Sequence, residues 1–156
     1  MLKLTRIDDR LVHGQVAFTW TPALGIDCLL IANDRAAGDD FLKMTMGLAK
    51  PAGVNLLIHT IRDTIGFLNS PRSQSPAILL IVDSVKDAHA IAGDVPEIRS
   101  INFGGIRAKP GSKAISKAVN LTANDILLIK ELLDKGIGLE LRQVPTDKKL
   151  DIETLI

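Results

Sequence analysis

The sequence predicts an α/β domain: an open, mostly parallel, twisted sheet with helices on both faces. Three observations predict it. Short runs rich in Leu, Ile and Val alternate along the chain with amphipathic stretches of helical period. Several of those runs are apolar almost throughout, as strands covered on both faces are. The length, 156 residues, suits one domain spanning 1–156, with neither internal repeat nor linker.

The strands are expected at 2–8, 28–33, 55–60, 77–82, 100–103 and 139–143, with a short extra strand at 118–121. Helices fall between them at 15–24, 40–50, 62–69, 85–92 and 123–135. Asp39 stands where an N-cap belongs. Thr122-Ala-Asn-Asp125 reads as a capping box, and Gly136 as the stop of the last helix. Asn69 to Pro76 is a polar loop punctuated by proline, and Gly104 to Gly111 a basic one.

Composition removes several function classes. Nineteen Lys and Arg stand against 18 Asp and Glu, a formal charge of +1, so no bulk attraction draws nucleic acid or anionic lipid. Aromatic residues are 3% of the chain, too few for the stacking platforms of single-strand binders. The lone Cys28 lies in an apolar run, reads as a small core residue, and suits a reducing cytosol. Charged Lys3, Arg6, Asp8 and Asp9 interrupt any signal-peptide core, and no stretch of about 20 apolar residues exists to span a bilayer. A cytoplasmic location is expected. No glycine-rich nucleotide loop is present, and the three widely spaced histidines suggest no metal site and no cofactor.

Ligands of open α/β sheets bind beyond the carboxyl ends of the strands. The first strand ends in Arg6-Ile-Asp-Asp-Arg-Leu-Val-His-Gly-Gln-Val16, a polar cluster between an apolar strand and an apolar helix. Gly14 permits close approach to His13, and Gly14 with Gln15 opens a helix whose free N–H groups favour an anion. Arg10, three residues before His13, can reach a phosphate on the imidazole. A neutral imidazole is a good nucleophile near pH 7, and its attack on phosphorus gives a phosphoramidate that can pass the group onward. Such transfer depends on charge stabilisation and in-line placement, which Arg10 and the helix N-terminus supply.

Other residues admit two readings. Asp8 or Asp9 orients Arg10 or accepts from the His13 ring, or else merely caps the loop. Arg6, inside the strand on the same face as Asp8, forms a local ion pair or a phosphate contact. Gly104-Gly105 is a tight turn or an anion nest. His59, at the end of the third strand, shares the rim of the sheet. His89 and Trp20 read as packing residues, and Ser112, Lys113 and Lys117 as solvated ones.

The segment from Arg6 to Val16, followed by Trp20, resembles the signature of the IIB components of the mannose/fructose/sorbose family of sugar phosphotransferase systems. The likeness extends to Ile31-Ala-Asn-Asp34, Ile101-Asn-Phe-Gly-Gly105 and Val144-Pro145. The resemblance implies an open α/β fold and a phosphohistidine on the motif histidine, His13, formed on Nδ1. The group would come from a phosphohistidine of a IIA protein and pass to a sugar carried by the membrane components IIC and IID. Arg10 becomes the expected phosphate ligand, with Gly14 and Gln15 beside it and Asp8, Asp9, Arg6, Gly104 and Gly105 in support. A separate IIA chain and peripheral association with the permease are implied. Three other readings compete. A histidine-phosphatase-like phosphohydrolase would carry Arg directly before the histidine, where Val12 stands. A receiver-like domain would end its third strand in an acceptor Asp, where His59-Thr60 stands. A non-catalytic module would bind an anion without a covalent adduct.

Overall fold

In the computed structural model the backbone of residues 1–156 is described, with the side chains of all but Gln15 and Val16. In chain order the elements are β1 (Leu2–Asp8), α1 (Gly14–Leu24), β2 (Cys28–Ala32), α2 (Asp34–Ala37), α3 (Asp40–Ala49), β3 (Asn55–His59), α4 (Ile61–Leu68), β4 (Ile78–Val82) and α5 (Val85–Asp94). β5 (Ser100–Gly105), β6 (Lys113–Ala114), β7 (Asn120–Leu121), α6 (Ala123–Asp134), β8 (Gly138–Leu141) and β9 (Leu150–Asp151) follow. Seven strands form one sheet in the order β3-β2-β4-β1-β5-β8-β9, and β6 and β7 form a small separate ribbon. Every pairing in the large sheet is parallel except that of β8 with β9.

Alternation along the central strands explains the two apolar layers. In β2, Cys28, Leu30 and Ala32 face one way and Leu29 and Ile31 the other; β4 repeats the pattern. One layer receives α4, α5 and α6 through Phe67, Val85, Ile91, Ile129 and Leu132. The other receives α1, α2 and α3 through Ala17, Trp20, Ala36 and Met46. Central strands buried on both sides cannot alternate with polar residues, which is why they read as continuous apolar runs.

Local signals fix the helix ends. Asn33, Asp39, Thr60, Ser84 and Thr122 each accept the expected backbone N–H at an N-cap, and Thr122 and Asp125 complete a capping box. The short α2 and the edge strands β6 and β9 are not evident in the sequence: two- to four-residue elements lack a measurable period. Gly104 and Gly105 correct an expectation. They form neither a turn nor a nest but end strand β5, and the register slips there, Ile7 facing Phe103 and Asp8 facing Gly105. Gly104 is the extra residue of this bulge.

Connections decide where a ligand can sit. The chain leaving β1 and β2 enters helices on one face, and the chain leaving β4 and β5 enters helices on the other. β4 lies between β2 and β1, so the loops diverge on both sides of its carboxyl end. That divergence is the switch point at which open α/β sheets take their ligands.

Candidate active site

β1 carries Arg6 and Asp8 inward at its carboxyl end, and both residues are 0% exposed. Burying a guanidinium is costly, and the cost falls as its donors are met; here Nη1 and Nη2 are met and Nε has no partner among the described residues. Nη1 of Arg6 donates to the Asn102 side-chain oxygen and to the carbonyl of Arg142, 3.0 Å away. Nη2 donates to Asp8 Oδ2 at 3.3 Å and to the carbonyl of Gln143 at 3.1 Å. The guanidinium also lies 5.2 Å from the ring centre of Trp20, whose indole N–H donates to the same Gln143 carbonyl at 3.0 Å. Space for it comes from Gly104: a Cβ there would stand 2.1 Å from Arg6 Cζ. The bulge and the missing side chain together seat the cation.

Asp8 is the hub. Its Oδ2 accepts from Arg6 and from His13 Nε2, each at 3.3 Å, and its Oδ1 accepts the Arg10 amide at 3.2 Å and Arg10 Nε at 3.4 Å. Burial alone would raise the Asp8 carboxyl, but the His13 hydrogen bond, the Arg6 charge and the Arg10 amide outweigh it and hold the carboxyl below its usual range. Burial likewise lowers the Arg6 guanidinium, with Asp8 opposing. Asp8 is therefore an anion and can only accept, so His13 carries its ring proton on Nε2. Nδ1 keeps the lone pair and is engaged by none of the described side chains.

His13 is the N-cap residue of α1 with extended backbone (φ −141°, ψ 154°), and its side chain makes no capping bond. The ring is left for Asp8 and does not cap the helix N-terminus behind it. Two residues earlier the chain makes a costly turn: Leu11 has φ +56° and is the one described non-glycine residue with positive φ. The Asp8 carbonyl accepts the Leu11 N–H at 2.9 Å and closes that turn, which brings His13 back over Asp8.

The remaining expected residues divide. The Arg10 side chain is 47% exposed and holds Asp8 through one edge only, so most of its donors face outward. Asp9 turns the other way: its backbone N–H donates to Gly105 and its carboxylate accepts from the amide and Nε of Arg107 at 2.8 and 3.1 Å. Gly14 is exposed at the start of α1, and the Gln15 side chain lies outside the described residues. Gly105 packs on Asp8, where a Cβ would meet Oδ1 at an ordinary 3.6 Å. His59 ends edge strand β3, separated from β1 by β2 and β4, with its ring edge-on to Phe67, and is not brought to His13. His89 pairs with Glu131 across α5 and α6 at 2.8 Å, and Cys28 is buried in β2. Sequence reasoning missed Asn102 and Gln143; an arginine inside an apolar strand was the signal that such partners had to exist.

A cleft of about 410 Å³ opens beside this cluster, lined in part by Arg10, Leu11 and Val12. A larger hollow of about 560 Å³ lies at the opposite ends of β5 and β8, around Ser100 and Gly138, and holds none of these groups.

Comparison with known proteins gives a consistent picture. The profile of the family described as PTS system sorbose subfamily IIB component matches residues 2–156. The chain is 36% identical, over all its length and 99% of the relative's, to a probable phosphotransferase enzyme IIB component of Streptococcus pyogenes serotype M6. It is 32% identical over its whole length to the mannose-specific EIIAB component of Escherichia coli K12, of which it spans 48%. The crystal structure of the IIBSor domain of the sorbose permease from Klebsiella pneumoniae superposes with a TM-score of 0.94 at 28% identity, covering 99% of this chain and 95% of that one.

Proposed function

Since the chain belongs to the sorbose-subfamily IIB components of the sugar phosphotransferase system, phosphotransferases that pass phosphoryl groups to sugar, we propose that His13 carries the phosphoryl group, on Nδ1. One observation carries this reading. Asp8, buried and anchored by Arg6, accepts a hydrogen bond from the Nε2–H of His13 and leaves Nδ1, without a partner among the described side chains, as the nucleophile at a helix N-terminus that the His13 side chain does not cap.

The steps follow from that geometry. The Nδ1 lone pair attacks phosphorus of the donor phosphohistidine on a IIA protein. The Nδ1–P bond forms, the donor N–P bond breaks, and its electron pair stays on the donor ring. Nε2 keeps its proton throughout, so the phosphorylated ring is an imidazolium, and Asp8 balances its charge. The transferring group spreads negative charge over its equatorial oxygens, and Arg10 with the α1 N-terminus faces that charge. Donation reverses the bonding. A sugar hydroxyl oxygen takes the phosphorus, the pair returns to Nδ1, and the hydroxyl proton goes to solvent. Components of this kind work with a IIA domain, fused in the Escherichia coli relative, and with a membrane permease. A separate IIA protein as donor and membrane components IIC and IID as the sugar-bearing partners complete the reading. Peripheral contact with the permease on the cytoplasmic side belongs to the same reading; among the described residues no helix is long and apolar enough to cross a membrane.

The test is phosphorylation with phosphoenolpyruvate, the two general phosphotransferase proteins and a cognate IIA. Wild-type chain should gain an acid-labile, base-stable label. His13→Ala should abolish it and keep the fold, because only Asp8 loses a partner. The final step, from isolated phospho-IIA, should proceed in chelator. A label that survives the substitution, or resists acid, would contradict the assignment.

A further inference from the structure

The formal charge of +1 hides an uneven distribution. Residues 106–119, between β5 and β7, hold Arg107, Lys109, Lys113 and Lys117 and neither Asp nor Glu, so this segment is +4 and the rest of the chain −3. All four cations are exposed. Arg107 pairs with Asp9, whereas Lys109, Lys113 and Lys117 form no ion pair among the described residues.

The segment is held in shape from within. Ile106, Val119 and Leu121 are buried and root it in the core, with Ile106 bridged to Val119. β6 pairs with β7, Lys113 facing Leu121. Ahead of β6, Ser112 Oγ accepts the Lys109 amide at 2.8 Å and donates to the Lys109 carbonyl at 2.7 Å, which closes a turn. The lysines therefore stand on a fixed ribbon. That ribbon flanks the transfer site. Arg107 and Lys109 line the cleft beside Arg10, and Arg107 and Lys117 line a second cleft that Arg10 shares. With Arg10 and Arg35 the two clefts carry five cations against two carboxylates, Asp9 and Asp83.

Exposed, unpaired cations on a fixed surface call for an anionic surface. The residue types select which one. Protein interfaces are enriched in aromatic residues, Met and Arg and depleted in Lys. Residues 106–121 contain no Phe, Tyr, Trp or Met, and three of their four cations are Lys. Single-stranded nucleic acid asks for aromatic platforms, which the segment also lacks. Anionic lipid headgroups need neither a shaped pocket nor stacking, only a cluster of four or more Lys and Arg near the surface. We propose that the β6–β7 ribbon contacts the anionic headgroups of a lipid bilayer and turns the rim bearing His13 toward the membrane. The lipid contact stands without the assignment of His13. Its use rests on that reading, in which the acceptor sugar is met at the membrane. An attraction of about fivefold for each cation holds the chain weakly, so the chain can exchange between a separate donor and the bilayer.

The test is sedimentation of the full, unphosphorylated chain with vesicles of phosphatidylcholine alone or mixed with phosphatidylglycerol. Binding is expected on the mixed vesicles only, and should vanish at about 1 M salt, where the Debye length falls to about 3 Å. The triple variant Lys109→Gln, Lys113→Gln, Lys117→Gln should bind about 10²-fold more weakly. Lys130→Gln, Lys135→Gln, Lys149→Gln removes the same charge from exposed lysines of α6 and the segment before β9, and should bind as wild type does. Labelling by phospho-IIA without vesicles should proceed alike in both variants. Absence of binding at low salt, equal binding to phosphatidylcholine, or equal loss in the two variants would overturn the proposal. So would lipid binding that survives in the ribbon variant while its labelling by phospho-IIA slows, the mark of an acidic protein as the partner. Vesicle binding involves no phosphoryl transfer, so it is decided separately from the assignment of His13.

Discussion

The carboxyl ends of β1 and β4 are adjacent strand ends on one rim of the sheet, and they treat a carboxylate in opposite ways. At β1, Asp8 is wholly buried among Arg6, Arg10 and His13 and is held below its ordinary range despite its burial. At β4, Asp83 stands near Asp87, whose carboxyl is pushed up to about 6, first by burial and then by the Asp83 charge. Burial opposes both anions, and the neighbours decide the outcome. The lesson is that the rim is divided. One strand end is an ordered cationic seat that fixes a histidine tautomer. The other sets two carboxyls, Asp83 and Asp87, against each other.

The widest separation of the two regions should come from paired glycine substitutions in β5. Gly104→Ala would drive a methyl group to 2.1 Å from Arg6 Cζ, whereas Gly105→Ala meets Asp8 at a comfortable 3.6 Å. The Arg6 guanidinium cannot swing aside without leaving its carbonyls and Asp8. Gly104→Ala should cost about 1–3 kcal/mol in denaturant unfolding, as overpacking does, and slow phosphorylation of His13. Gly105→Ala should do neither to a comparable degree. Equal effects would mean that Arg6 does not anchor Asp8.

Arg10 gives a smaller but more selective effect. Its planar fork can hold two phosphoryl oxygens, which lysine, a point charge, cannot. Arg10→Lys should slow single-turnover transfer by about 10²-fold, with little change in unfolding, because the side chain is half exposed. Asp9→Asn, which loosens only the exposed Arg107, should be much milder. Near-normal transfer in Arg10→Lys would make Arg10 a loop brace and leave His13 untouched.

The smallest effect lies at β4. A carboxyl whose folded value sits above its unfolded one binds an extra proton in the native state between the two. Stability therefore falls as pH rises from about 4 to about 6, where Asp87 ionises in the folded chain. Asp87→Asn should make the chain more stable than wild type at pH 7, and the gain should vanish near pH 4. Thermal unfolding across that range measures it, and a pH-independent difference would contradict the assigned charge crowding.

The sequence made some parts of this picture legible and hid others for physical reasons. Central strands and long helices announce themselves because burial on two faces or one imposes a composition and a period. The capping box at Thr122 and the stop at Gly136 were readable because their chemistry is local. The cluster from Arg6 to His13 stood out as charge packed between apolar elements. Its partners did not, because Asn102, Gly104 and Gln143 reach Arg6 from strands and loops 96 to 137 residues away. Gly104 shows the limit most clearly. A glycine pair suggests a turn or an anion nest, and only the pairing of β5 with β1 shows a bulge making room for a buried cation.

The central claim is that Asp8 fixes the Nε2–H tautomer of His13 and so directs phosphorus to Nδ1. Nitrogen-15 and phosphorus-31 NMR of the phosphorylated chain, labelled in histidine, tests this most directly. The account predicts phosphorus coupled to Nδ1 of His13, with Nε2 still protonated and bonded to Asp8, and a mixture of linkages or a loss of labelling in Asp8→Asn. Phosphorus on Nε2, or on another residue of the wild-type chain, would contradict it.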